Sequence, residues 1–345
     1  MKTLKSIVIL GLIASSAMAF LGNPGYLVPY GVTNTYQLPA SLTQKKYLAK
    51  PIVRKDLYKG VSFFRIKYRG LFGIKKECNE VCMLVIDWNE TDGKVGLNLA
   101  KARNLNRTRP SELMMENPNC IAAFNGFYHH TTDPSKAYFP EKINGEIYEE
   151  ITEKFPMGSD QKWFDGIIAF NPFEPPKIGS FRVFGWTVYT NCQSIAGGDG
   201  MPVQSDKLPD NPEKIVVDKD REAIEKRFKR HSSPFCGHNP TNNLTVFLVV
   251  DTTPTGSSIS LNYSEGMWIL KQFGMANYWT LNLDGGGSVT CVTKAWVTAL
   301  PTDHDDPAWP QKKYPIPVIE NEARDDHINF SERRVLTSIQ IVVRD

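Results

Sequence analysis

An apolar run at Tyr278 to Leu283 stops at a carboxylate and three glycines, so that residues 281–288 read LNLDGGGS. The alternation of aromatic, β-branched and polar residues predicts a strand, which leaves Asp284 at a strand end. Gly285, Gly286 and Gly287 remove every side chain from the turn that follows. Backbone N–H groups can then approach a ligand, and φ can be positive without penalty. Asp-Gly alone predicts a hairpin turn, but three successive glycines exceed what a two-residue turn needs. Bare amides of this kind, with the Ser288 hydroxyl, can cradle an anion while the carboxylate handles a proton or a developing positive charge.

The same pattern, an apolar strand handing over to polar groups and glycine, recurs along the chain. Strands are predicted at Val61 to Tyr68, Cys82 to Trp88 and Val95 to Leu99, with charged turns between them. Pro110-Ser111-Glu112 predicts a short helix ending near Asn117, since proline suits the first turn and acids favour its positive end. Cys120 to Phe124 reads as a buried strand that breaks at Asn125-Gly126-Phe127-Tyr128-His129-His130. Asn144-Gly145 predicts a turn, Phe181 to Thr190 a strand, and Ile195 to Val203, with Gly197 and Gly198, a second glycine-rich break. Lys219 to Arg230 has the character of a helix with a solvated basic face. Leu244 to Asp251 (LTVFLVVD) reads as a central strand with a carboxylate at its end. Tyr263 to Phe273 predicts a helix closed by Gly274. Glu265 falls in its first turn, where an acid can simply pair with the helix dipole. Cys291 to Ala299 and Leu336 to Val343 complete the strands. Many short strands and few helices predict an α+β fold, a mixed, largely antiparallel twisted β-sheet core.

The first residues bear on the compartment. Lys2 and Lys5 precede an apolar stretch, Ile7 to Ala17, and the small-x-small triplet Ala17-Met18-Ala19. This is a bacterial-type signal peptide over residues 1–19, and it predicts a secreted or periplasmic product. No later apolar run nears the roughly 20 residues that span a bilayer. Residues 20–56, rich in proline, glycine and tyrosine without a clear period, are expected as an extension running over the surface. Residues 57–345 are expected as one domain. Taking Lys2 and Lys5 from the 40 basic residues leaves the mature chain nearly neutral against 37 acidic ones. That balance lacks the basic footprint of a nucleic-acid or anionic-membrane binder. Cys78, Cys82, Cys120, Cys192, Cys236 and Cys291 in an exported chain predict disulfides, with Cys78 and Cys82 as a local pair. His129 and His130 with Asp133, or the acidic loops around His304 and His327, could ligate a cation; solvated loop charge is the simpler account. No cofactor is called for, a divalent cation is left open, and so is the oligomeric state.

Four stretches together resemble the phosphodiester glycosidase family. They are AAFNGFYHH (Ala122 to His130), IAGGDGMPV (Ile195 to Val203), the Asp251 strand with the Glu265 helix and LNLDGGGS, and ERRV (Glu332 to Val335). The likeness runs from about Leu57 to Val343. It implies hydrolysis of a sugar 1-phosphate diester at its glycosidic bond, in agreement with the sheet-rich fold. A phosphomonoester leaves more readily than an alkoxide, so the chemistry needs chiefly a carboxylate and donors on the phosphate. On that reading Asp284 and Glu265 are the carboxylates, Asn125 orients sugar or water, and Asp251 supports them. Arg333, Ser288, Gly126, Gly197, Gly198 and the amides of Gly285 to Gly287 hold the phosphate or sugar. The chain departs from the family pattern at Phe127, where a second glycine is usual, and at Ser233-Pro234, where Arg-Thr is usual. Arg230 or His231 can stand in for that arginine. The loop before Glu332 is also longer. The alternative, from another class, is a non-catalytic exported glycan-binding protein using the same groove.

Overall fold

The computed structural model describes residues 32–73, 78–103, 107–126, 141–149, 166–201, 204–215, 233–251, 261–283, 290–297, 314–320 and 334–344. The chain divides into two compact units, residues 32–294 with 317–345, and residues 1–31 with 295–316. In the smaller unit the described residues are only the outer parts of two strands, β14 and β15, named below.

The larger unit is built on two sheets. The first uses β1 (Val53–Tyr58), β2 (Val61–Arg69), β3 (Cys78–Asp87), β6 (Glu141–Ile143), β7 (Glu146–Glu149), β8 (Gly166–Phe170), β9 (Lys177–Ser180), β10 (Ser194–Gly200), β11 (Ser233–Asn239), β12 (Leu244–Asp251) and β13 (Thr280–Asn282). Their order is β1-β2-β3-β12-β11-β13-β10-β6-β7, with β8 also on β10 and β9 on β8. The second sheet uses β4 (Val95–Lys101), β5 (Cys120–Asn125), β14 (Cys291–Val297) and β16 (Thr337–Val343), in the order β14-β5-β16-β4, and β15 is Tyr314–Ile319. Each pairing of the first sheet, and those of β5 with β14 and of β16 with β5 and β4, is antiparallel. The expected α+β, largely antiparallel architecture is the one observed.

Strand alternation explains how the layers form. Val61 and Phe63, Cys82, Leu84 and Ile86, Phe247 and Val249 face one way and join Val95, Leu97, Leu99, Phe124, Ile339, Ile341 and Val343 of the second sheet in one buried cluster. Phe124 stacks on Phe247 across this layer, with centroids 5.0 Å apart. The opposite face of the first sheet carries Ile66, Val81, Met83, Val85, Val246, Leu248 and Val250, covered by a helix bearing Met267, Trp268 and Leu270. β12 is thus buried on both faces, which is why LTVFLVVD reads as an unbroken apolar run.

Of the helices, α1 is Pro110–Glu116, α2 Phe181–Phe184, α3 Trp186–Asn191 and α4 Tyr263–Gln272. α4 opens with a capping box: Glu265 N donates to Asn262 Oδ1 at 2.9 Å, and Asn262 N donates to Glu265 Oε2 at 3.0 Å. It closes on Gly274 at φ 76°, where Gly274 N bonds Lys271 O and Met275 N bonds Leu270 O, the paired contacts of a Schellman end.

Four expectations are corrected. Phe181 to Thr190 is helical, not a strand: Phe181, Phe184, Val188 and Cys192 recur at helical spacing and share one cluster, and Gly185 at φ 68° separates the two short helices. The glycine-rich stretch at 197–200 is not a break but part of β10, where a side chain on Gly198 would lie 2.6 Å from Asn282 O. The stretch expected to run over the surface seats Leu42 and Tyr47 in the core, while Asn34 bonds Tyr58 O, Val61 O and the Ser62 hydroxyl. Cys82, Cys120, Cys192, Cys236 and Cys291 are buried thiols and not disulfide halves. Cys78 and Cys82 lie on one strand, about 13 Å apart at an extended rise, beyond the reach of a disulfide. The Lys219 to Arg230 helix lies outside the described residues.

His238 is buried on β11, and its Nδ1 lies 3.0 Å from Thr245 Oγ1. Trp88 Nε1 donates to the same oxygen at 2.7 Å. Burial lowers the pKa of His238 to about 4. The unfolded chain binds that proton more readily, so stability is greatest above the ordinary value near 6.5 and falls as pH drops through 4. The expected loss is on the order of 3 kcal/mol. Denaturant unfolding of wild type and His238→Gln between pH 7 and 4 checks it: the variant should show a shallower slope.

Candidate functional site

The inner rows of β2, β3 and β12 in the first sheet, and of β4, β5 and β16 in the second, are apolar until one end, where they turn polar or lose their side chains. On β4 the row Val95, Leu97, Leu99 continues to Lys101. On β16, Ile341 and Ile339 lead to Thr337, and on β5, Ala122 and Phe124 lead to Gly126. On the first sheet, Phe63 of β2 is followed in its row by Arg65, and Leu84 and Cys82 of β3 by Glu80; on β10 and β6 the inner row carries Gly198 and Glu141 near this level, and Ala196 and Ile143 continue past it. Asp251 takes the position after Phe247 and Val249 on β12, paired with Glu80. An end of the sandwich where alternation changes chemistry on so many strands is a mouth, not a continuation of the core.

Register aligns these ends. Lys101 pairs with Thr337, and Gly126 N donates to Thr337 O at 2.9 Å. The chain leaves the first sheet at Leu283, whose N–H bonds Pro234 O at 2.9 Å. It rejoins the second at Thr290, whose N–H bonds Asn125 Oδ1 at 3.1 Å. Asn125 N in turn donates to Thr290 O at 3.3 Å. Leu283 and Thr290 are therefore both held at this mouth, Thr290 by Asn125. Across the mouth, Lys101 Nζ donates to Glu141 Oε2 at 2.6 Å and lies 3.7 Å from the centre of the Tyr148 ring. Arg65 and Lys67 both meet Glu80.

The residues singled out in the sequence divide three ways. Asn125, Gly126 and Gly198, with the strand position of Asp251, are brought to the mouth, and Gly197 adjoins them on β10. Glu265 is buried in the first turn of α4, which packs on the other face of the first sheet, and uses Oε2 to cap its helix. Its neighbour Tyr263 reaches β13, where Tyr263 Oη donates to Asn282 Oδ1 at 3.2 Å. Asp284, Gly285, Gly286, Gly287, Ser288, Arg230, His231 and Arg333 lie outside the described residues. So do His129, His130 and Asp133. Among the described residues no group of three or more His, Cys, Asp or Glu side chains is arranged to hold a metal.

Sequence reading missed Lys101, Glu141 and Arg65. The signal for Lys101 was present as the fourth member of an alternating row, but only the register shows that this row ends at the mouth. A second polar island lies between the sheets. Glu320 Oε1 accepts from Lys55 Nζ at 2.5 Å and from the Thr293 hydroxyl, Glu320 O accepts from Cys82 Sγ at 3.4 Å, and Glu320 Oε2 is buried with no hydrogen-bond partner.

No family model matches the chain. No curated protein matches it either. Solved structures do. The catalytic domain of zebrafish N-acetylglucosamine-1-phosphodiester alpha-N-acetylglucosaminidase, auto-inhibited by its pro-peptide, aligns over 87% of this chain and 86% of its own at 13% identity, with a TM-score of 0.49. A hypothetical protein from Synechocystis aligns over 86% of this chain and 64% of its own at 11% identity and TM-score 0.51. A candidate exported protein from Burkholderia pseudomallei K96243 aligns over 89% and 99% at 10% identity and TM-score 0.51. At such identity the latter two show a shared fold. No helix among the described residues is long and apolar enough to cross a membrane.

A Cβ on Gly126 would lie 2.3 Å from Thr337 Oγ1 and 2.7 Å from Thr337 O, and the second of these is main chain. Gly126→Ala must move one strand of the mouth. It should lower stability by about 1–3 kcal/mol, measurable as a lower urea midpoint at unchanged m-value. An unchanged midpoint would mean that these strand ends yield freely.

Proposed function

We propose that the chain is an exported hydrolase that cleaves the glycosidic bond of a sugar 1-phosphate diester. The observation that carries the reading is where the chain is held on either side of DGGGS: Leu283 on the first sheet and Thr290 on the second, at the end where the inner rows of β2, β3 and β4 turn from apolar to charged. In this reading Asp284, leaving β13 at that end, is the carboxylate that activates water or stabilises an oxocarbenium-like centre. The amides of Gly285 to Gly287, Ser288 and Arg333 take the phosphate, since bare N–H groups and a guanidinium fork suit its oxygens. Asn125 orients sugar or water in this reading, besides holding Thr290 through its side chain and main chain. Glu265 has a structural use already, as the cap of α4, and a catalytic use for it would be an addition to that. The signal-like segment at residues 1–19 supports export.

The test is hydrolysis of a chromogenic sugar phosphodiester by purified protein and by Asp284→Asn and Glu265→Gln. Asp284→Asn should lower kcat at least about 100-fold, as loss of a positioned acid–base group does. Glu265→Gln should act mainly on thermal stability. Wild-type turnover that survives Asp284→Asn removes Asp284 from the mechanism, and tight glycan binding without turnover selects the non-catalytic reading.

A further inference from the structure

Lys101 and Glu141 belong to no motif of the sequence, yet they make the direct polar bridge between the two sheets at the mouth. Lys101 stands where an aliphatic residue would extend the row Val95, Leu97, Leu99. Glu141 stands one row beyond Ile143 on β6, paired with Ala196 of β10. Their side chains are only 11% and 4% exposed. Withdrawing two charges from water commonly costs more than their attraction returns, so an apolar pair would hold the sheets at least as well. The pair is better understood through what its charge can do.

We propose that Lys101 is the cation that receives the anionic group of the ligand, with Glu141 and Tyr148 holding its ammonium at the mouth while the site is empty. The proposal rests on the reading of this mouth as a site for a phosphorylated sugar, and it adds to the phosphate donors named there a cation from the second sheet. An ammonium has three N–H donors. Glu141 Oε2 takes one at 2.6 Å, and the Tyr148 ring lies 3.7 Å away on another side. A donor is left for a ligand, and a lysine binds phosphate as a point charge. Position agrees with this. Lys101, Thr337 and Gly126 occupy one row of adjacent strands, about 4.8 Å apart each, and that row adjoins the Asn125 clamp on residue 290. Glu141, through Ala196, adjoins the Gly197–Gly198 stretch of β10, which runs on to Asp199 opposite Asn282. The other described basic groups of the mouth fit less well. Arg65 and Lys67 share Glu80, and β3, β12 and β11 separate their strand from β13.

The experiment is calorimetric titration of the purified full chain with glucose 1-phosphate, and with glucose as the uncharged control. Wild type should bind the phosphate ester. Lys101→Met should weaken that binding about 10- to 100-fold, the usual worth of a charge-assisted hydrogen bond, with glucose unaffected. Lys101→Arg should retain most of it, and Glu141→Gln, by removing a like charge beside the ligand, should tighten it. The proposal is overturned if wild type binds no phosphate ester, or if a folded Lys101→Met binds as wild type does. Should Lys101→Met fail to fold, Glu141→Gln decides: tighter binding supports the proposal, unchanged or weaker binding overturns it. Diester turnover is scored apart. Hydrolysis with an unchanged KM in Lys101→Met defeats the Lys101 assignment while leaving the glycosidase reading intact, and anion binding through Lys101 without hydrolysis does the reverse.

Discussion

Everything in the larger unit depends on one apolar layer between two sheets. Its members come up to three from each strand, drawn from both sheets, and Phe124 stacks on Phe247 across it. Burying one such aromatic side chain stabilises by about 1.5–3 kcal/mol, and each depends on its row-mates for the register that places it. Across the layer Lys101 of β4 meets Glu141 of β6, and Phe124 of β5 meets Phe247 of β12. The mouth is then a by-product of strand length, the level at which the rows run out of apolar residues while the backbone pairing continues.

Charge is kept to the margins of that layer and is always counterbalanced there. Lys101 meets Glu141, Lys55 meets Glu320, and Arg65 and Lys67 meet Glu80. The cysteines within the layers follow the opposite rule. Burial pushes the Cys120 thiol up to about 12 and the Cys236 and Cys291 thiols upward too. They stay protonated at neutral pH and behave as small apolar residues, unreactive because the thiolate is the nucleophile.

Much of the frame was legible because burial on one or two faces writes itself into strand periodicity: β2, β4, β5, β12 and β16 fall close to where alternation or continuous apolarity puts them. α4 was legible from its helical spacing, with Glu265 in its first turn and Gly274 at its end. Phe181 to Thr190 was not, because a run with apolar residues at positions two, three and four apart satisfies both periods, and only the packing of Phe181, Val188 and Cys192 in one cluster decides. The glycines of β10 misled for a different reason: glycine marks close approach as well as turning, and here it lets β13 come near. Of the site, Asn125 and Gly126 were legible as a strand end, but Lys101 and Glu141 were not, since their meeting is set by pairings across long sequence separations.

The Asn125–Thr290 exchange and the Leu283–Pro234 bond tie down both feet of residues 284–289 through main-chain groups and one amide that lies outside the segment. Neither hold uses the side chain of residue 283 or of residue 290, so exchanging those two side chains would leave both hydrogen-bonded anchors available, and the crossing from one sheet to the other is inherited with the backbone.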